Sequence, residues 1–208
     1  MNIKLRYSIN AHKITTVVYI VLLMYHYGNY TIGPYIYLSL HGTYVAIWFL
    51  KEISFPDASW EREVSLTKSV LVTLALGPFG YWVSPFLLIS SHHTPTCPTI
   101  AVSVSMQCFG VFLHFCADCQ KYYTLKYKPG LITEGMFARS RNCNYLGEIL
   151  IYMSFSMLSE HWLPVIIVCL FSMFLYYPGM RQKDGSLSRY PEFSRYKKES
   201  GILFPKVF

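Results

Sequence analysis

The stretch Gly135-Met-Phe-Ala-Arg139-Ser-Arg141-Asn142-Cys143-Asn144-Tyr145-Leu-Gly147-Glu148 decides how this chain is read. It sets two arginines, two asparagines, a tyrosine and a glutamate at the start of a long apolar run. Asn144 and Glu148 are four residues apart, so on a helix they share a face, and Gly147 lets another backbone approach closely. A carboxylate just inside an apolar helix is costly unless it faces a cavity or a partner. Near the helix N-terminus it also gains from the macrodipole. Polar groups packed this densely at a helix mouth point to a site. The segments before it read as membrane scaffold, and those after it as a lid and tail that fold back.

The surrounding composition supports that scaffold. Of 208 residues, 53% are hydrophobic and 14% charged, against roughly 25% charged in soluble domains. A mean hydropathy of +0.31, with 18 Tyr and 14 Phe, fits a multi-span protein with aromatic interfacial belts. The net charge of +7 matters less for its sum than for its placement, and nucleic acid is not an expected partner.

Outward from the motif, the chain divides into about six apolar crossings: 14–27, 34–50, 64–90, 99–121, 144–159 and 163–178. The first is the shortest, and it lacks the small-residue cleavage site of a removed signal peptide. The third contains Gly77-Pro78 and Pro85, which predict a kink. The last two are joined by Glu160-His-Trp-Leu-Pro164, short enough to force a hairpin. All eighteen Lys and Arg residues lie in or beside the N-terminus, the 51–63 loop, the 121–143 loop and the tail. The connections 28–33, 90–98 and 160–163 hold none. The positive-inside rule then places both termini and the motif in the cytosol. The expectation is an all-α, integral membrane helical bundle forming one membrane domain over 1–208. Within it, 1–98 line a lipid cavity and 99–208 carry the cofactor-binding part and tail.

Other features are weighed against plainer readings. The sequon at Asn29-Tyr30-Thr31 lies so near the membrane surface that an unmodified turn is the better reading. Cys116-x-x-Cys119 has no second pair at zinc spacing, so the six cysteines read as reduced and structural, and no metal site is expected. His114, Asp118 and Lys121 share a face of the fourth crossing, beside the basic loop carrying Lys126, Lys128, Arg139 and Arg141. Tyr37, His41, Tyr44, Trp48 and Lys51 form a polar-aromatic stripe on the second crossing, read equally as a cavity lining or a packing seam. The tail offers Arg181, Arg189, Tyr190, Glu192, Arg195 and Tyr196. Walker, GxGxxG, HExxH and GxSxG patterns are absent from the sequence.

Three segments carry a resemblance: Asp118-Cys-Gln-Lys121, Gly130-Leu-Ile-Thr-Glu-Gly135-Met-Phe-Ala-Arg139, and Arg141-Asn-Cys-Asn144-Tyr145-Leu-Gly147-Glu148. Together they resemble the C-terminal domain of the steroid 5-alpha-reductases, and within that group small integral membrane proteins. Tyr190-Pro-Glu-Phe-Ser-Arg-Tyr196 with Gly201-Ile-Leu-Phe-Pro205 resembles the family's closing segment. His41-Gly-Thr-Tyr44 with Trp48, Lys51 and Phe55-Pro-Asp57 is similar to its small-protein branch. The resemblance implies an NADPH-dependent reductase acting from the cytosolic side on a carbon-carbon double bond conjugated to a carbonyl, in a lipid or sterol-like substrate.

Carried over by motif, Asn144, Tyr145 and Glu148 hold the nicotinamide end. Lys121, Arg139, Arg141 and Arg181 are the candidates for the phosphates, Asp118 is a further cofactor-binding candidate, and Arg189 with Tyr190 closes the site. Tyr44 and Glu148 are the catalytic candidates, and His41, Tyr44 and Trp48 the substrate-cavity candidates. Cys143 departs from the proline usual in the family. The membrane implied is the endoplasmic reticulum in a eukaryote or the inner membrane in a bacterium. Two alternatives stand beside this reading. One is an S-adenosylmethionine-dependent methyltransferase of the isoprenylcysteine carboxyl type, whose motif typically lacks the Gly-Glu ending. The other is a non-catalytic lipid-binding protein of the same fold.

Overall fold

A computed structural model describes residues 2–206, apart from the side chains of Ala75, Pro78 and Phe79. The chain is predominantly helical and forms two compact units. One comprises Met1–Ser105 with Met153–Val168, and the other Met106–Tyr152 with Cys169–Phe208. Long helices begin in one unit and end in the other.

The first unit opens with a short antiparallel pair, β1 (Asn2–Lys4) and β2 (Glu63–Ser65), in which Ile3 faces Val64. Its helices are α1 (Leu5–Tyr27), α2 (Ile32–Ser54), α3 (Leu66–Leu76) and α4 (Val83–Ser90), and it holds the first part of α5 (Cys97–Tyr127). The first expected crossing is thus longer than the sequence suggested. It starts at Leu5 rather than near residue 14, because Lys13 is a buried residue of the helix and not part of a solvated flank. Gly28 ends α1 in the left-handed conformation (φ 61°), and the next amide, that of Asn29, bonds the Met24 carbonyl. Glycine adopts that conformation without the Cβ penalty. The break expected at Gly77-Pro78 is a π-helical turn, Gly77–Tyr81, between α3 and α4. Such turns interrupt the α-helical ladder where a proline cannot donate.

Asn29 is 1% exposed. Its amide donates to the Ile89 carbonyl (2.9 Å) and its carbonyl accepts from the Thr31 hydroxyl (2.8 Å). The sequon is a structural turn in this fold.

The hairpin between α6 (Cys143–Met157) and α7 (Trp162–Phe171) is pinned through Glu160, whose φ of 45° places it in the left-handed region. Its carboxylate accepts from the Thr96 amide (3.0 Å), the Thr96 and Thr99 hydroxyls, and His93 Nε2 (2.6 Å). It therefore caps the start of α5 from a distant part of the sequence. The Thr99 hydroxyl, then the Thr96 and His93 donors, hold its carboxyl down to about 2. A depressed carboxyl contributes stability that is present above its unfolded value near ~4.3 and is lost as pH falls towards the folded value. Glu160→Gln is expected to cost about 0.5–2 kcal/mol, the range of a lost N-terminal cap. It should also flatten the acid limb of thermal stability between roughly pH 4.3 and the folded value near 2. Differential scanning fluorimetry across pH tests both.

The second unit holds the remainder of α5, most of α6, and the end of a continuous helix running from α7 through a π turn (Ser172–Tyr176) into α8 (Tyr177–Leu187). The tail adds α9 (Phe193–Glu199). Among the described residues, three helices are long and apolar enough to cross a membrane: Leu5–Tyr27, Cys97–Tyr127 and Trp162–Leu187. Their apolar side chains are widely exposed, Phe109, Phe112, Met173 and Phe174 among them. Hydrocarbon tolerates such faces and water does not. Helices also occupy the other three expected segments. The 15 residues of α6 reach roughly 22 Å at 1.5 Å per residue, short of the ~30 Å hydrocarbon core.

Candidate functional site

The motif begins where α5 and α6 cross. Gly110 and Gly147 meet backbone to backbone: a Cβ on Gly147 would run into the His114 nitrogen and lie 2.6 Å from the Gly110 oxygen. The close approach expected of Gly147 is real, and Gly110 supplies its other half. At the same crossing His114 Nδ1 lies 3.2 Å from the Asn144 carbonyl, and Asn144 Nδ2 donates to Asp118 Oδ1 at 3.2 Å. His114 Nε2 and Asp118 Oδ2 are 3.9 Å apart. Asn144 Oδ1 is buried without a hydrogen-bond partner among the described residues. One turn further along, Tyr152 donates its hydroxyl to Glu148. Tyr145 packs on Tyr176, ring centroids 5.3 Å apart.

The middle of the motif binds the tail. Arg141 is 5% exposed and makes a bidentate pair with Asp184, Nε–Oδ1 and Nη2–Oδ2 both 2.9 Å. Its Nη1 serves the Ser200 carbonyl and hydroxyl. The Arg141 amide donates to the Gly201 carbonyl, and the Gly201 amide donates to the Arg139 carbonyl, both at 2.9 Å. Ser140 Oγ donates to the Leu203 carbonyl (2.6 Å) and Asn142 Nδ2 to that of Ile202 (2.8 Å). The tail folds back on the motif through Arg141. Its donors are committed to Asp184 and Ser200, so it is a clamp before it is a phosphate ligand. Cys143 is buried in an apolar cluster with Ala117 and Phe137, where a small thiol packs as a hydrophobe.

Between clamp and tail lies a cavity of about 140 Å³. Lys121, Lys183, Arg189 and Arg141 supply positive charge to its lining, Tyr190 and Tyr196 supply hydroxyls, and Leu125, Ile132 and Phe137 form its apolar side. Lys183 is oriented by donating to the Arg141 carbonyl (2.9 Å) and lies 5.4 Å from the Phe137 ring centre. Arg189 stacks over Tyr190 at 5.0 Å. Tyr196 donates to the Phe137 carbonyl (2.7 Å), and burial pushes its phenol up to about 12, so it stays a neutral donor.

The fold brings Lys121, Arg141, Arg189 and Tyr190 into one lining and adds Lys183, which sequence reasoning missed. The signal available was its position two residues after Arg181 on an amphipathic helix end. Arg139 and Arg181 are exposed and do not line the cavity. Asp118, Asn144, Tyr145 and Glu148 lie along the α5–α6 crossing and α6 instead.

In the first unit the second-crossing stripe is buried throughout: Tyr37 1%, His41 1%, Tyr44 0%, Trp48 3% and Lys51 2% exposed. His41, Tyr44 and Trp48 are packed together with Phe155 and Lys13 rather than spread along an open wall. Ring centroids separate His41 from Phe155 by 4.8 Å and from Tyr44 by 6.2 Å. Lys13 donates to the Tyr44 hydroxyl at 2.7 Å. Sequence reasoning assigned Lys13 to a basic flank and so missed it.

Fold and site together define a helical membrane protein with a small pocket against its tail, lined by apolar side chains together with Lys121, Arg141, Lys183 and Arg189. A family model described as a protein of unknown function, DUF1295, matches residues 58–200, and the chain belongs to that family. The match spans the whole α5–α6 crossing and the tail as far as Ser200. No curated protein matches the chain.

Proposed function

We propose that this protein is a membrane-bound, NADPH-dependent reductase of a carbon-carbon double bond conjugated to a carbonyl in a lipid or sterol-like molecule. In this reading the helical segments follow the charge placement along the chain, with both termini and the basic loops cytosolic. The membrane is the endoplasmic reticulum in a eukaryote or the inner membrane in a bacterium. The observation that carries the reading is the cavity lined by Lys121, Lys183, Arg189 and Tyr190. Its size suits a phosphoryl group rather than a whole dinucleotide, since sites for drug-sized ligands run to ~300–1,000 Å³. Cations and tyrosine hydroxyls are the donors a phosphate requires. The unpartnered, buried Asn144 Oδ1 is an acceptor suited to a carboxamide N–H.

When bound, NADPH supplies the hydride. Lys121, Lys183 and Arg189 would hold phosphate oxygens, with Arg141 keeping the tail in place behind them. Asn144, and Glu148 held by Tyr152, would orient the nicotinamide end. S-adenosylmethionine carries a sulfonium cation, so the cationic lining favours the dinucleotide over the methyl donor.

Purified protein in mild detergent is expected to bind NADPH saturably. Arg189→Ala should weaken binding about tenfold, the equivalent of one charge-assisted contact of ~1.4 kcal/mol. Glu148→Gln should abolish the binding. Isothermal titration measures both. Saturable S-adenosylmethionine binding without NADPH binding would overturn the proposal.

A further inference from the structure

The pocket against the tail holds more apolar side chains than the phosphate of a soluble dinucleotide accounts for. Leu125, Leu131, Ile132, Phe137 and Leu187 line it beside Lys121, Lys183 and Arg189. Among the described residues no carboxylate belongs to the lining. Lys183 spends one of its three ammonium protons on the Arg141 carbonyl. Arg189 reaches only hydroxyls, those of Ser186 (3.4 Å) and Tyr190 (3.3 Å). Neither cation makes an ion pair among the described residues. Two such cations set in an apolar wall match an anion that brings hydrocarbon with it.

The pocket also stands at the level of lipid phosphates. Its walls include the C-terminal ends of two helices long and apolar enough to cross a membrane, Cys97–Tyr127 and Trp162–Leu187. At 1.5 Å per residue, Lys121 lies roughly 36 Å along α5 from Cys97. That is past the ~30 Å hydrocarbon core and inside the ~40–45 Å that includes the headgroups. Tyrosines mark the same depth. Tyr122 and Tyr123 meet edge to face with ring centroids 5.1 Å apart, and Tyr123 stacks on Tyr127 at 6.4 Å. Lys126 Nζ sits 5.8 Å and 5.6 Å from the ring centres of Tyr122 and Tyr127. Tyrosine belts of this kind belong to the membrane–water interface. The volume of about 140 Å³ has room for a phosphoryl group and the glycerol carbons next to it, and none for a bulky esterified headgroup.

We infer that this pocket takes the phosphate monoester of an anionic membrane lipid, of the phosphatidic acid type, and that the lipid competes with NADPH for Lys183 and Arg189. The phosphate oxygens accept from the two cations and the Tyr190 hydroxyl, while the first carbons of the lipid lie along Leu125 and Leu187. Cofactor affinity then falls as the membrane's content of that lipid rises. The competition rests on the reductase reading. The lipid site does not, and it is measured without nucleotide.

The probe is dioctanoyl phosphatidic acid, titrated into the full chain in mild detergent and followed by native mass spectrometry. Dioctanoyl phosphatidylcholine and inorganic phosphate are the controls. Phosphatidic acid is expected to bind about tenfold tighter than either control. Lys183→Met and Arg189→Ala should each cut that affinity about tenfold, whereas Lys128→Met, at an exposed lysine outside the pocket, should leave it unchanged. Arg189 is exposed, so its variant decides the point even where Lys183→Met does not fold. Phosphatidic acid at about ten times its Kd should weaken NADPH binding about tenfold in isothermal titration. Equal binding of the two lipids, inorganic phosphate binding as tight as phosphatidic acid, or an equal loss in Lys128→Met would each overturn the inference. So would an NADPH affinity indifferent to the lipid. Absence of NADPH binding in lipid-free protein would instead overturn the cofactor reading, and the lipid titration would stand.

Discussion

Asp184→Asn is expected to release the tail and to destabilise the second unit by about 3–5 kcal/mol, because it strands a buried guanidinium. Arg141 and Asp184 have side chains 5% and 6% exposed and share two bonds of 2.9 Å. Taking two charges out of water is offset only while the pair is complete. The loss should propagate, since the same arginine holds Ser200 and its backbone pairs with Gly201. Limited proteolysis should cut between Ser188 and Gly201 in the variant and spare the parent. The double variant Arg141→Met with Asp184→Asn removes the unpaired charge and should recover part of the stability, though the Ser200 contacts are still lost. A parent-like proteolysis pattern in Asp184→Asn would show that the clamp is not what holds the tail.

Gly147→Ala should be nearly as damaging for a different reason. A Cβ there would meet backbone atoms of α5, the Gly110 oxygen at 2.6 Å and the His114 Cα at 2.9 Å, and backbone cannot rotate away as a side chain can. The helices must separate, at a cost of about 1–3 kcal/mol or more from overpacking. His114, Asp118 and Asn144 would be pulled apart in the process. Gly110→Ala meets the Gly147 oxygen at 2.7 Å and should behave alike. Gly185→Ala in α8 is the control: nothing lies within 4 Å of the position its methyl group would take, so the substitution should gain roughly 0.5–1 kcal/mol of helix propensity. Thermal unfolding of the three variants in one detergent decides the point, and equal midpoints for Gly147→Ala and Gly185→Ala would refute it.

The two variants probe what was legible in the residue order and what was not. The helical segments were readable because long apolar runs bounded by basic clusters leave few alternatives. Gly147 was readable as a close-approach residue because glycine inside an apolar helix loses propensity for which packing must compensate. The polar density of the motif was also readable, but not its division of labour. Ser140, Arg141 and Asn142 turn towards the tail, and Asn144 and Glu148 stay at the helix crossing. That split depends on which partners arrive from some sixty residues away, as Ser140 with Leu203 and Asn142 with Ile202 do. Local spacing carries no information about it.

Lys13 is the sharper case. A lysine thirteen residues from the N-terminus, with Lys4 and Arg6 before it, reads as part of a solvated flank. Only the packing of α1 against α2 places its ammonium on the Tyr44 hydroxyl and the Trp48 ring. Aromatic faces make such burial tolerable, and they come from a helix later in the chain. Lys183 was overlooked on similar grounds, because its place in the cavity depends on the tail returning across α8.

Residue order around 135–148 was enough to specify a helical membrane protein, a crossing that needs glycine, and a polar site at the mouth of a helix. Those follow from hydropathy, helical periodicity and the cost of buried charge, all of which act over a few residues. It took the folded chain to assign Arg141 to clamping the tail, Lys183 to the basic cavity, and Lys13 to Tyr44. Each of those is a long-range pairing of buried polar groups, and burial in a low-dielectric interior is what makes the choice of partner so consequential.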